Sequence, residues 1–190
     1  MKKIVLLLAL MLPATVWAGT WKLDGAASEI NFVSVKKGSV AEVHHFSGLS
    51  GVINDHQASV TIALATIESG IGIRNQRMQS MLFEVERFAS ATITAELANT
   101  NYASLKPGES VSLTLPFTLD LHGLTKEFSA RVRVVALADG KLLISALRPV
   151  IVRAADFQLD AGIEALRQIA KLPSIAHSVP VTFELLFEPD

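Results

Sequence analysis

Five histidines, a glycine-flanked serine and a clustered pair of arginines are the residues of this 190-residue chain whose chemistry could make a site. His44 and His45 are adjacent, and neighbours on a strand point to opposite faces, so the two are badly placed to ligate one ion. His56, His122 and His177 are scattered with no carboxylate at ligand spacing, and solvated turn histidines account for them better than a metal centre does. Ser50 lies in Gly48-Leu49-Ser50-Gly51, which is not the Gly-x-Ser-x-Gly elbow, and its surroundings point to a hairpin instead of a strand-to-helix turn. No glycine loop of the phosphate-cradling kind occurs. Without cysteines, thiol catalysis and disulfides are both excluded. No acid, base and nucleophile converge, so the expectation is a protein without catalysis, metal or cofactor.

The segment Ile73 to Phe83 stands apart. It sets Arg74, Asn75 and Arg77 beside a patch rich in methionine and phenylalanine, with Met78, Met81 and Leu82 at helical spacing. One reading is a gate, in which the methionines mould to an apolar chain while the guanidinium groups face a polar head group. The other is a capping helix whose arginines pair with Glu84, Glu86 or backbone carbonyls and whose methionines are ordinary core. Pattern alone favours the second.

The elements that must position these residues are mostly strands. From Val111 to Leu121 every odd position is apolar, Phe117 and Leu119 among them, which gives a strand with one dry and one wet face. Pro116 cannot donate to a ladder and is expected at a bulge or bend. His122 to Lys126 makes a hairpin connection, and Phe128, Ala130, Val132 and Val134 alternate on the return. Similar runs occupy Ile30 to Val35, Val60 to Leu64, Ile93 to Leu97, Leu142 to Leu147 and Val181 to Phe187. Turn chemistry at Lys37-Gly38, Ser47-Gly48, Asn54-Asp55, Pro107-Gly108 and Asp139-Gly140 separates them. Strands joined by short turns predict an up-and-down antiparallel sheet, and about eight of them close into a barrel. Asp160 to Lys171 reads as a helix with Asp160 as N-cap, an Ile163-Leu166-Ile169 stripe, and Pro173 just past its end. The two helical stretches are expected at the barrel mouths.

Lys2 and Lys3, an apolar run from Ile4 to Leu12, Pro13 and then Val16-Trp17-Ala18 have the layout of a secretory signal cleaved after Ala18. That run is too short to span a membrane. The expected organisation is a signal peptide at 1–18 and one domain at 19–190, free in the periplasm or secreted. Removing Lys2 and Lys3 takes the net charge from −1 to −3, which leaves no electrostatic footprint for nucleic acid or anionic head groups. The apolar share of 50% exceeds what one small core needs, so either the core is large or part of it faces a ligand cavity. A solid core would make the chain a structural or interaction module, and a homodimer through a paired exposed surface stays open.

Taken in order, several segments resemble the YceI family of periplasmic proteins. They are Trp21-Lys22-Leu23-Asp24 leading to Ser28-x-x-x-Phe32, the Gly48 to Gly51 hairpin, and Arg74-Asn75-x-Arg77-Met78 running into Leu82-Phe83. Leu119 to Lys126, Ala155-Asp156-Phe157 and Val179-Pro180-Val181-x-Phe183 complete the set. The resemblance implies an all-β, lipocalin-like antiparallel barrel with one or two short helices, holding a polyisoprenoid or isoprenoid-quinone chain without catalysis. It also implies that Arg74, Asn75, Arg77, Met78, Leu82, Phe83 and Phe157 lie near the cavity and its mouth; the strand residues Phe32, Phe117 and Leu119 are expected to join them as ligand-binding positions. Many members carry a histidine where this chain has Lys36-Lys37, and a doubled phenylalanine where it has Leu82-Phe83. Both departures bear on the head-group end of the site.

Overall fold

The computed structural model describes residues 20–54, 56–97 and 102–190. The expected signal segment and its cleavage point lie outside the described residues, as does part of the Asn54-Asp55 turn. Among the described residues twelve strands, all paired antiparallel, form one sheet. They are β1 (Trp21–Leu23), β2 (Glu29–Lys36), β3 (Val40–Phe46), β4 (Leu49–Asn54), β5 (Gln57–Ala63) and β6 (Ile67–Glu68), then β7 (Ser90–Glu96), β8 (Ser110–Leu121), β9 (Leu124–Ala136), β10 (Leu142–Ala146), β11 (Val150–Arg153) and β12 (Ser178–Pro189).

Eight of them close a ring, β1-β4-β5-β7-β8-β9-β10-β12, with β12 pairing back to β1 through Trp21↔Pro189 and Leu23↔Phe187. This is the closed eight-strand barrel the alternation predicts. Closure removes the edges that an open sheet would leave unpaired. The remaining strands extend the sheet at one end: β2, β3 and β6 branch from one edge of β12, and β11 pairs with its other edge.

The longest ladder is β8 with β9. Leu121↔Leu124 closes around the two-residue turn His122-Gly123, with φ of 54° and 74°. Two consecutive positive φ values match the twist of the flanking strands, so glycine belongs at the second of them. Pro116 makes no bulge: the register runs Leu115↔Ala130, Pro116↔Ser129, Phe117↔Phe128 without a skip. The pairing of β7 with β8 extends only from Asp120 to Phe117, so the proline stands one residue beyond that ladder's end. It costs no hydrogen bond there. The Gly48 to Gly51 stretch is likewise no hairpin tip, because Leu49–Asn54 is a strand. Gly51 lies inside it where a β-carbon would meet the Ser59 carbonyl oxygen at 2.6 Å.

The junction of β1 and β2 is built by two side chains. Asp24 Oδ1 accepts from the Ala26 and Ala27 N–H groups at 3.0 and 3.1 Å, holding the loop, and Ser28 Oγ accepts from Leu186 N–H at 2.9 Å where the ladder is interrupted. The barrel end below β1 is shut by Trp21 against Tyr102, ring centroids 5.7 Å apart, with Trp21 Nε1 donating to the Gly140 carbonyl at 3.0 Å.

Helices cap the opposite end. α1 (Gly72–Arg77) continues into a π-helical turn, Met78–Leu82, in which Phe83 N–H bonds the Met78 carbonyl at 2.9 Å. α2 (Asp160–Ile169) packs on that turn. Asp160 does not cap α2. The N-cap position is Leu159, with no side-chain cap, and the Asp160 carboxylate bonds His177 Nδ1 instead.

Candidate functional site: an apolar lumen with one polar residue at its rim

Inward positions of the strands surround a cavity of about 220 Å³. Its walls come from Ile30 and Phe32 on β2, Leu115 to Leu121 on β8, Ala130 and Val132 on β9, and Val179 to Phe187 on β12, among others. The side chains do not meet at the axis. Leu115 and Phe117 point inward yet stay only half-buried, because the lumen beside them is hollow. Small residues make the room: Ala58, Ala91, Ala95 and Ala130 sit where bulkier side chains would plug the barrel. Such a wall offers dispersion and desolvation and almost no hydrogen bonds.

The structure sorts the sequence-predicted residues into three groups. Phe32, Leu82, Phe83, Phe117 and Leu119 line the cavity. Met78 (5% exposed) and Phe157 (fully buried) belong to the core behind the wall. Phe157 ends a helical turn, Ala154–Phe157, and stacks on Phe128 with centroids 6.2 Å apart, while its carbonyl accepts from His122 Nδ1 at 3.2 Å.

The polar residues of α1 form the third group, and none of them is on the lumen wall. Arg74 donates through Nη1 to Glu42 Oε2 at 2.8 Å, through Nε to Ser69 Oγ at 2.8 Å, and through Nη2 to the Ser69 carbonyl. Asn75 accepts the Ser69 N–H at 3.0 Å and donates to Glu68 Oε2 at 3.1 Å. Lys36 Nζ completes the cluster 2.6 Å from the same Glu42 oxygen, and the Lys36 and Arg74 hydrogen bonds hold the Glu42 carboxyl below its ordinary range. Arg74 and Asn75 thus staple α1 to β3 and β6. Arg77 is half-buried on the same helix, with no ion-pair partner among the described residues.

Of the histidines read as solvated turn residues, His56 is exposed in a turn and His177 in a bend, while His122 and the strand residue His44 pack against aromatic rings. His44 is 3% exposed on β3, edge-on to Phe32 at 5.3 Å, and its Nδ1 has no hydrogen-bond partner among the described residues. Burial first, and the Arg74 charge second, push its pKa down. His122 does sit in a turn but packs on Phe88 at 4.2 Å, and its Nε2 lacks a hydrogen bond although Glu84 Oε1 stands 3.5 Å away. Among the described residues, no three His, Asp or Glu side chains come together as a metal would need.

His177 is the residue that sequence reasoning missed. Among the described residues it is the one cavity-lining residue with a polar side chain; that side chain is 52% exposed, and the cavity surface beside it is almost wholly apolar, so its ring nitrogens are turned away from the lumen. Leu82, Ile163 and Val179, also only partly buried, accompany it where the cavity meets the helical cap. This is the rim of the lumen. A signal was present: Val179, Val181 and Phe183 alternate inward along β12, and the same parity puts 177 on the inner face. On the neighbouring α2, Glu164 is held by Arg167 and Gln168, which lower its carboxyl pKa to about 2.

Fold and site together define a hollow antiparallel β-barrel with an apolar interior, shut at one end and capped by helices at the other. The chain belongs to the YceI-like domain family, whose model matches residues 21–187. Among solved structures it is similar to a polyisoprenoid binding domain from Saccharophagus degradans implicated in plant cell wall breakdown. The two share 38% identity over 90% of this chain and 98% of that one, with a TM-score of 0.87. Burkholderia cenocepacia BcnA shares the fold at 18% identity, covering 86% of this chain and 98% of its own, TM-score 0.67. The Campylobacter jejuni YCEI protein does so at 16% identity, covering 77% and 84%, TM-score 0.55. No curated protein matches the sequence. Among the described residues no helix is long and apolar enough to cross a membrane.

Proposed function

We propose that this protein is a periplasmic binding or carrier protein for an isoprenoid lipid, a polyisoprenoid or an isoprenoid quinone, which it holds in the barrel without catalysis. The observation that carries this reading is the cavity: about 220 Å³ enclosed by side chains that are apolar at every position except His177. An engineered apolar cavity of about 150 Å³ stays dry and takes up benzene, so this one accommodates a larger hydrocarbon. At roughly 25 cal/mol per Å² of apolar area, a branched chain gains affinity there with few polar contacts. The 38% identical polyisoprenoid binding domain supports the same ligand class. The basic amino end and apolar run of residues 2–12 support export.

The test is direct. Protein purified from cells is extracted with organic solvent for mass spectrometry, and the stripped protein is titrated with a polyprenyl quinone while its fluorescence is followed. An isoprenoid in the extract and saturable quenching are expected. Recovery of no lipid together with no quenching overturns the proposal.

A further inference from the structure

We propose that the helix-capped end of the barrel docks onto an anionic lipid surface, so that the protein meets a membrane with the rim of its lumen toward the bilayer. The docking face is independent of what fills the lumen. Four segments build it. Arg74 on α1 and Lys36 on β2 share the Glu42 carboxylate, which sets α1 beside the β2–β3 hairpin. The hairpin tip is tied to the loop after α2, because Lys37 N–H donates to the Ser174 carbonyl at 3.0 Å and Lys36 forms a β-bridge with Ile175. α2 packs on the π-helical turn that continues α1, which closes the circuit.

Charge and apolar surface both collect there. Residues 36–42, 72–82 and 160–177 carry six Lys and Arg against three Asp and Glu, on a chain whose overall charge is −1. The net figure therefore conceals a segregated one. All three carboxylates are turned to partners within the protein: Glu42 to Lys36 and Arg74, Glu164 to Arg167, and Asp160 to His177. Lys37 at the hairpin tip, Arg77 ending α1 and Lys171 just past α2 remain, and none has an ion-pair partner among the described residues. Of the eight large apolar residues exposed among the described residues, four lie on or beside these segments: Val40, Ile71, Ile73 and Ile169. Ile73 and Arg77 stand four residues apart on α1 and so share a face. Apolar side chains interleaved with such cations suit the boundary between acyl chains and phosphate head groups, where the first are buried and the second neutralised.

Flotation with vesicles tests this, with phosphatidylglycerol mixed into phosphatidylethanolamine in one set and phosphatidylcholine alone in the other. The protein should partition to the anionic vesicles, and added salt should weaken the binding. Each cation near such a surface contributes about fivefold, so Lys37→Gln, Arg77→Gln and Lys171→Gln combined should lower partitioning roughly a hundredfold. Lys22→Gln with Lys106→Gln, at the shut end, should leave it unchanged. Ile71→Ser with Ile73→Ser should weaken binding while keeping its salt dependence. The chain has no cysteine, so Gln76→Cys on α1 and Ser110→Cys at the shut end can each carry one polarity-sensitive fluorophore. Only the label on α1 should shift to the blue on vesicles. Thermal melts of each variant separate a lost surface from a lost fold. Equal partitioning to both vesicle types, an equal loss on neutralising the shut end, or a shift at residue 110 as large as at residue 76 overturns docking by this face, and leaves the reading of the lumen intact.

Discussion

Gly162 lies so close to Leu82 that a β-carbon on it would stand 2.8 Å from the Leu82 α-carbon and 2.5 Å from the Met81 carbonyl oxygen. The helical cap is therefore backbone packed on backbone, and neither partner is a flexible side chain that could swing away. In an ordinary helix interior alanine outdoes glycine by roughly 0.5–1 kcal/mol. Here Gly162→Ala should destabilise instead, by about 1–3 kcal/mol, as overpacking does. Denaturant midpoints of the two proteins check the sign. A stabilised variant would mean that α2 does not seat on the π-helical turn as described.

Filling the lumen should separate binding from folding. Ala130 is 3% exposed, pairs with Leu115 and lines the cavity. Ala130→Leu places three further carbons in existing void, so the melting temperature of the stripped protein should hold or rise. The increase that an added isoprenoid gives the unaltered protein should shrink, because ligand stabilisation follows affinity. Thermal melts with and without lipid read both effects.

Phe128 sits between two rings with different duties. Phe117 on one side lines the cavity, centroids 5.6 Å apart, and Phe157 on the other is fully buried behind it. Phe157→Ala should cost about 3–5 kcal/mol with little change in the affinity of whatever fraction folds. Phe117→Ala enlarges the lumen and should alter affinity as well as stability. Paired denaturation and lipid titration of both variants distinguish wall from support.

Acid should weaken the barrel at His44. Its imidazole is buried, with Arg74, Lys36 and His45 adding positive charge and Glu42 alone opposing them, so its pKa falls below the ordinary histidine value. At pH values between the folded and unfolded pKa, the unfolded chain binds a proton at this position that the folded chain refuses. The contribution to stability is full above the unfolded value and is lost as pH falls from there through the folded one. His44→Gln should flatten the decline in denaturant midpoint between pH 7.5 and 5.5. An unchanged slope would exclude His44 as its source.

How much of this could be read from residues alone depended on how local the determinant was. The β8–β9 ladder and its turn were legible because alternation runs through both strands and His122-Gly123 supplies the turn chemistry. The strands β1, β6 and β11 were not, since segments of two to four residues carry no period and are defined by their partners. Arg74 shows the same limit within the site. Beside methionines it reads as a gate or, by pattern more readily, as a staple to Glu84, Glu86 or a carbonyl, and the partner that decides is Glu42, 32 residues away in sequence. Asp160 looked like an N-cap because aspartate before an apolar stripe is one, yet His177 competes for its carboxylate across 17 residues. The hollow itself came from four alanines on the inward faces of three strands, visible only once the strands are set side by side.

Strand β12 carries a last consequence. It meets β1 and β2 along one edge and β10 and β11 along the other. The ring therefore stays a curved, open sheet with its greasy side bared until residues 178–189 dock. Contacts that join residue 21 to residue 189 are the most distant in sequence and the slowest to form. Closure between these two ends is therefore expected late in folding, and a chain lacking residues 178–189 should self-associate through the bared apolar face.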